Sequence, residues 1–146
     1  MIVNATKEYL ESYRKLMSDI TFYETMKNDA IYNVAGYKSP NLDNDGGNHS
    51  VNPDPVGDLV IELEKELAKY DMRIIACRAK MALIDRQLSE MRDVNNEYYK
   101  ILVYRYKIGL GWQEIADKMY MSYSLATHLH GPALQKFDEL FGKSYH

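Results

Sequence analysis

The feature that most constrains this 146-residue chain is an unbroken spacing of apolar residues over one long segment. Val56, Val60, Leu63, Leu67, Tyr70, Ile74, Cys77, Met81, Ile84, Leu88 and Met91 recur at alternating steps of four and three, the period of a narrow seam along one side of an α-helix. At a rise of about 1.5 Å per residue the seam predicts a helix about 50 Å long. Asp54 as N-cap and Pro55 as first helical residue mark its start, since an aspartate accepts a bond from a free backbone N–H and proline has none to lose. Acids such as Glu62, Glu64 and Glu66 alternate with Lys65, Lys69 and Arg73 on the remaining positions, as on a solvated outer face. A stripe this narrow does not stabilise a lone helix in water, so it must lie on another seam.

The segment from about Asn4 to Val34 supplies one. Tyr9, Tyr13, Leu16, Ile20, Tyr23, Ala30 and Val34 follow the same steps, with Lys27 in the one seam position that breaks the pattern. Between the two, Gly36 to Pro55 turns to Gly, Asn, Asp, Ser and Pro, which favour turns over helix or strand ladders. Residues 36–54 are therefore expected to be a mobile connector. Asp43 and Asp45 suggest a calcium loop, but Gly47 and Asn48 fall where an acid or amide and then a glycine are required. An antiparallel, coiled-coil-like helical hairpin over residues 1–94 follows, or the same seams joined in a dimer. Cys77, the single cysteine, sits in the seam and reads as a packing residue; it can form no intrachain disulfide.

Residues 95–146 read as a compact second region. Asn95 to Ile108 is expected to be a helix presenting Tyr98, Ile101, Leu102 and Tyr106 inward and ending at Gly109. A short helix from Trp112 to Tyr120 places Ile115, Ala116 and Met119 on one face. Ser122 then caps a last helix whose inward residues are Ala126, Leu129, Ala133 or Leu134, and Phe137. Two short helices joined by a three- or four-residue turn and preceded by a supporting helix have the arithmetic of a helix-turn-helix. The fold class is all-α: a long hairpin followed by a C-terminal helix-turn-helix.

Tyr104-Arg105-Tyr106, Gly109 to Ala116, Met121 to Ser124 and Leu129 to Leu134 resemble the C-terminal part of phage and prophage late-gene transcriptional activators of the ArpU and RinA type, whose helix-turn-helix is similar to region four of bacterial sigma factors. The start Asn52-Pro53-Asp54-Pro55 before a long heptad helix resembles them too. The resemblance implies a phage or prophage regulator with double-stranded DNA as partner and RNA polymerase as a second one. It makes the helix after Ser122 the recognition helix, with Ser122, Tyr123, Ser124, Thr127 and His128 facing the major groove, and with Lys118, Arg105 and Lys136 as phosphate contacts. Proteins of this type commonly carry Arg at the positions of Ser124 and His128, and a basic or polar helix former at that of Pro132. Proline inside a helix removes a donor and crowds the preceding turn, so the helix is expected to kink or end near His128.

Charge bears on this reading directly. The whole chain carries −3 and is rich in tyrosine, thirteen against three Phe and one Trp. From Asn96 onward six bases (Lys100, Arg105, Lys107, Lys118, Lys136, Lys143) face five acids (Glu97, Glu114, Asp117, Asp138, Glu139), leaving +1. Phosphate neutralisation dominates DNA affinity, so this is a modest footprint. The cluster Tyr98, Tyr99, Tyr104 and Tyr106 falls at helical spacing and reads as core, with Tyr99 the member expected to be exposed. His130 is expected to be a half-buried packing residue and His128 to face solvent; two apart, they cannot share a metal as an i, i+4 pair would.

No phosphate-binding loop, nucleophile elbow or paired-cysteine motif occurs, and neither an enzyme nor a cofactor is expected. No secretory or membrane-spanning segment is read, so a cytoplasmic protein is expected; the resemblance implies the cytoplasm of a bacterial host, and the heptad seams suggest a homo-oligomer. Two rival readings use the same elements: a protein-interaction module that inhibits a host complex, and a DNA-packaging subunit that assembles into a ring.

Overall fold

The computed structural model describes residues 2–37 and 55–146, and every element among them is helical. Helix α1 spans Ile2–Tyr37 and α2 spans Pro55–Val94. Helix α3, Asn96–Leu102, continues as a π-helical segment, Val103–Ile108. Helices α4, Trp112–Lys118, and α5, Tyr123–Phe141, follow, and a 3-10 turn, Gly142–Ser144, closes the chain. The all-α class holds. Of the expected connector, Gly36 and Tyr37 belong to α1; the rest, with Asp54 as cap, lies outside the described residues.

The chain divides into two compact units, and the division falls inside the long helices. One unit joins the chain up to Ser18 with Arg78–His146; the other is Asp19–Cys77. In the second, the Tyr23 and Tyr70 rings lie 6.3 Å apart, Arg73 sits 5.6 Å from the Tyr23 ring, and Ala30, Ile74 and Cys77 are buried. Lys27, the residue that interrupts the α1 seam, reaches the Asp71 carboxylate at 2.5 Å. Its charge is thus met at the rim of the seam. Within the first unit, Tyr9 donates to Gln87 at 2.7 Å and Tyr13 to Asp85 at 3.2 Å. In this unit the residue number falls on α2 as it rises on α1, so the two segments run antiparallel there.

The first unit holds the main core: Leu10, Tyr13, Ile84, Leu88, Met91, Leu102, Tyr106, Ala133, Leu134 and Phe137. Here the α1 stripe broadens beyond its heptad seam at Leu10, which is fully buried, as is Thr6, in register with the seam. A helix gripped on two sides needs a wider apolar face than a two-helix seam supplies. The C-terminus is tied to the same place. Asp138 accepts from Thr6 (3.2 Å), Tyr145 (3.1 Å) and His146 (2.7 Å), while Tyr145 stacks on Tyr9 at 4.2 Å. Burial raises the Asp138 pKa, and the hydrogen bonds from His146, Tyr145 and Thr6 outweigh it and hold the carboxyl below its usual value.

Asn95 caps α3 by accepting from the N–H groups of Glu97 and Tyr98, both at 3.1 Å. The expected single helix to Ile108 instead changes to π-helix at Val103, and it closes as foreseen at Gly109, with φ +87°. The Gly109 and Leu110 amides both donate to the Tyr104 carbonyl, at 2.9 and 2.8 Å. Lys107 anchors this segment on Asp85 at 2.7 Å, a bond that raises its pKa. A Cβ on Gly109 would overlap the Arg14 guanidinium. Gly109→Ala is therefore expected to cost about 1–2 kcal/mol for the left-handed conformation alone, with Arg14 displaced in addition, read as a lower midpoint in urea unfolding.

Candidate nucleic-acid interface

The C-terminal helices α4 and α5 meet through small side chains. Ile115 and Ala116 of α4 and Ala126, Ala133, Leu134 and Phe137 of α5 are all buried to within 1% of complete, and the alanines let two backbones approach closely. Gly111, in extended conformation, caps α4, and its N–H donates to Glu114 Oε1 at 3.3 Å. That is one half of a capping box, the half a glycine can make. The turn runs through Tyr120, whose φ of +56° is left-handed and whose side chain is 96% exposed. Ser122 then caps α5 as expected, accepting from the Leu125 amide at 3.1 Å.

At the start of α5, Ser122, Tyr123, Ser124 and His128 are exposed, and Ser124 and His128, four residues apart, share the side away from the core. Thr127 is half-buried, and its hydroxyl bonds back to the carbonyls of Tyr123 (3.1 Å) and Ser124 (3.0 Å). Lys118 stands exposed at the end of α4, in a groove that also contains Lys100 and Tyr120. Lys136 is half-buried and within 3.6 Å of Glu139; nine residues beyond Thr127, it lies about two and a half turns on, hence on the other side of the helix. Arg105 is drawn inward, its guanidinium 4.9 Å from the Trp112 ring and bonded to the Leu110 carbonyl at 3.2 Å.

Two expectations need correction. Pro132 does not end α5 near His128: the helix runs unbroken to Phe141. Pro132 is exposed, and the buried residues on both sides of it, from Ala126 to Phe137, hold the helix despite the missing donor. Tyr99 is not the exposed member of its cluster; it packs partly against the core, with Arg92 5.9 Å from its ring. Tyr120 and Tyr123 are the exposed aromatics here. Tyr120 sits in a turn, where helical periodicity carries no signal.

His130 fixes the lower part of α5. Its Nε2 and the Tyr106 hydroxyl share a hydrogen bond of 2.5 Å, and its ring meets Trp112 edge-on at 4.8 Å. Burial, then the charges of Arg105 and Lys7, push its pKa down to about 4, while burial raises that of Tyr106. The unfolded imidazole, with an ordinary pKa of about 6.5, binds a proton the native one refuses. Stability is thus complete above about pH 6.5 and is lost progressively as pH falls toward 4. Discounted for partial exposure, the expected loss is about 1–2 kcal/mol. Urea unfolding at pH 7 and about pH 4.5 measures it, and His130→Gln, which keeps an acceptor for Tyr106, should flatten this part of the profile. Asp138, held low, contributes to the loss only at lower pH.

Comparison with known protein families, with curated proteins and with solved structures finds no match.

Proposed function

We propose that this chain is a DNA-binding transcriptional regulator of phage or prophage type, an activator of late genes, acting in the cytoplasm of the bacterial host. In this reading α4 and α5 form the helix-turn-helix, the start of α5 enters the major groove, and the antiparallel α1–α2 pair serves self-association or contact with RNA polymerase. One observation carries it. The exposed outward pair Ser124 and His128, with exposed Tyr123 at the helix start, is set on a helix capped at Ser122 and clamped from behind by burial of Ala126, Ala133, Leu134 and Phe137. Base edges in the major groove are read by hydrogen-bonding side chains of that kind on a rigid helix. Lys118 and Lys100, beside the turn, supply backbone contacts.

Mobility shift against fragments of its own phage genome, across a series of salt concentrations, is the direct test. Binding to one fragment in preference to the others, weakening steeply with salt, is the expected result. No binding at about 50 mM salt would sink the reading. One observation favours a second reading, a protein-interaction module: on α2, Met72 and Ile75 are 71% and 66% exposed and lie three residues apart on one face. Among the described residues no helix is long and apolar enough to cross a membrane. A packaging subunit that assembles into a ring would reveal itself by its molar mass in solution.

A further inference from the structure

The first compact unit contains a cleft of about 240 Å³ lined by Glu11 and Arg14 of α1 and by Arg105, Tyr106 and Gly109. Two guanidinium groups on different elements converge on it. Arg14 makes no ion pair or hydrogen bond among the described residues, and its guanidinium lies against Gly109, where any side chain would displace it. Arg105 spends one N–H on the Leu110 carbonyl, and its plane packs on Trp112. Four of its five donors are left for another acceptor. The one carboxylate in the cleft, Glu11, is 4.0 Å from Lys7 one turn earlier, so its charge is shared with a cation outside the guanidinium pair. The local balance is positive. That positive field also reaches His130, whose protonation Arg105 and Lys7 both oppose. Arg105 is carried by the π-helical segment, a form that costs hydrogen-bond geometry and recurs at functional sites.

A planar, permanently charged fork is the side chain best suited to a tetrahedral oxyanion, which it can grip through two parallel N–H groups. We propose that the cleft between Arg14 and Arg105 binds a phosphate group. On the DNA-binding reading above, upon which this assignment of source rests, the group belongs to the nucleic-acid backbone; free phosphate is the other source with the same chemistry. Because Arg105 packs on the first residue of α4, the cleft would hold the backbone beside the helix pair, and sequence would be read elsewhere.

The test follows the backbone amides of Gly109 and Leu110 by NMR while the whole protein is titrated with a short DNA duplex and, separately, with sodium phosphate. Native chain and Arg14→Gln are compared; Arg14 is exposed, so the variant folds. The expected result is a shift of both amides with duplex that is lost in Arg14→Gln, together with an affinity about tenfold weaker at ~0.1 M salt and a salt slope shallower by about 0.9, the value of one phosphate contact. Preference among sequences stays unchanged. Shifts with sodium phosphate but none with duplex support the site and remove the backbone as its source. Shifts with neither probe overturn the proposal. So does duplex binding that perturbs only Tyr123 to His128 with the same salt slope in both chains, an outcome that leaves the DNA-binding reading intact.

Discussion

Phe137→Ala is expected to remove about 3–5 kcal/mol of stability, the usual cost of deleting a fully buried phenyl ring and leaving its space unfilled. Phe137 is completely buried and meets three aromatic rings: Phe141 at 4.9 Å, Tyr9 at 6.2 Å and Tyr145 at 6.3 Å. Those neighbours come from α1, from the end of α5 and from the C-terminal turn, so no single one can shift to close the cavity. A domain of this size has about 5–15 kcal/mol in total, and the change removes a large share of it. Urea unfolding reads the effect as a lower midpoint with an unchanged slope. Phe137→Leu, which refills most of the volume, should cost about 1–1.5 kcal/mol. If the alanine variant lost less than the leucine variant, the packing described around Phe137 would be wrong.

Introducing arginine together at Ser124 and His128 is expected to raise affinity for an arbitrary DNA duplex about 100-fold at ~0.1 M salt, roughly tenfold for each added phosphate contact, and to steepen the salt slope by about 1.8. Both positions are exposed on the outward side of α5, so the effect on stability should stay within about 0.5 kcal/mol. Any preference between sequences should fall, because side chains that touch bases would be replaced by ones that reach for phosphate as well. A mobility-shift series on the double variant measures all of this. Unchanged affinity would mean that this face does not meet DNA, and the functional proposal would fall with it.

Much of this could be read from the residues in order. The α2 seam is buried at Ile74, Cys77, Ile84, Leu88 and Met91 as its spacing requires, and the caps at Asn95 and Ser122 and the left-handed Gly109 stand where their chemistry puts them. The outward face of α5 was legible for the same reason: once Ala126, Leu134 and Phe137 are turned inward, Ser124 and His128 have no other direction to take. Pro132 misleads because a local penalty of about 3 kcal/mol is set against burial that spans several turns. Thr6 stands in register with the seam but is polar, and its partners Asp138 and Tyr145 lie more than 130 residues away along the chain.

What the order of residues alone determines is periodic and local: an all-helical chain, the inward stripe of each helix, and where α3 and α5 begin. These follow from a backbone geometry that repeats every few residues and from groups that bond to their own neighbours. Which charges remain free is decided only by tertiary structure. Lys107 is drawn to Asp85, twenty-two residues earlier in the chain, while Arg14, from near the other end of the chain, comes to rest against Gly109. Long cationic side chains reach whatever the fold brings within about 4 Å, and no spacing along the chain encodes that meeting.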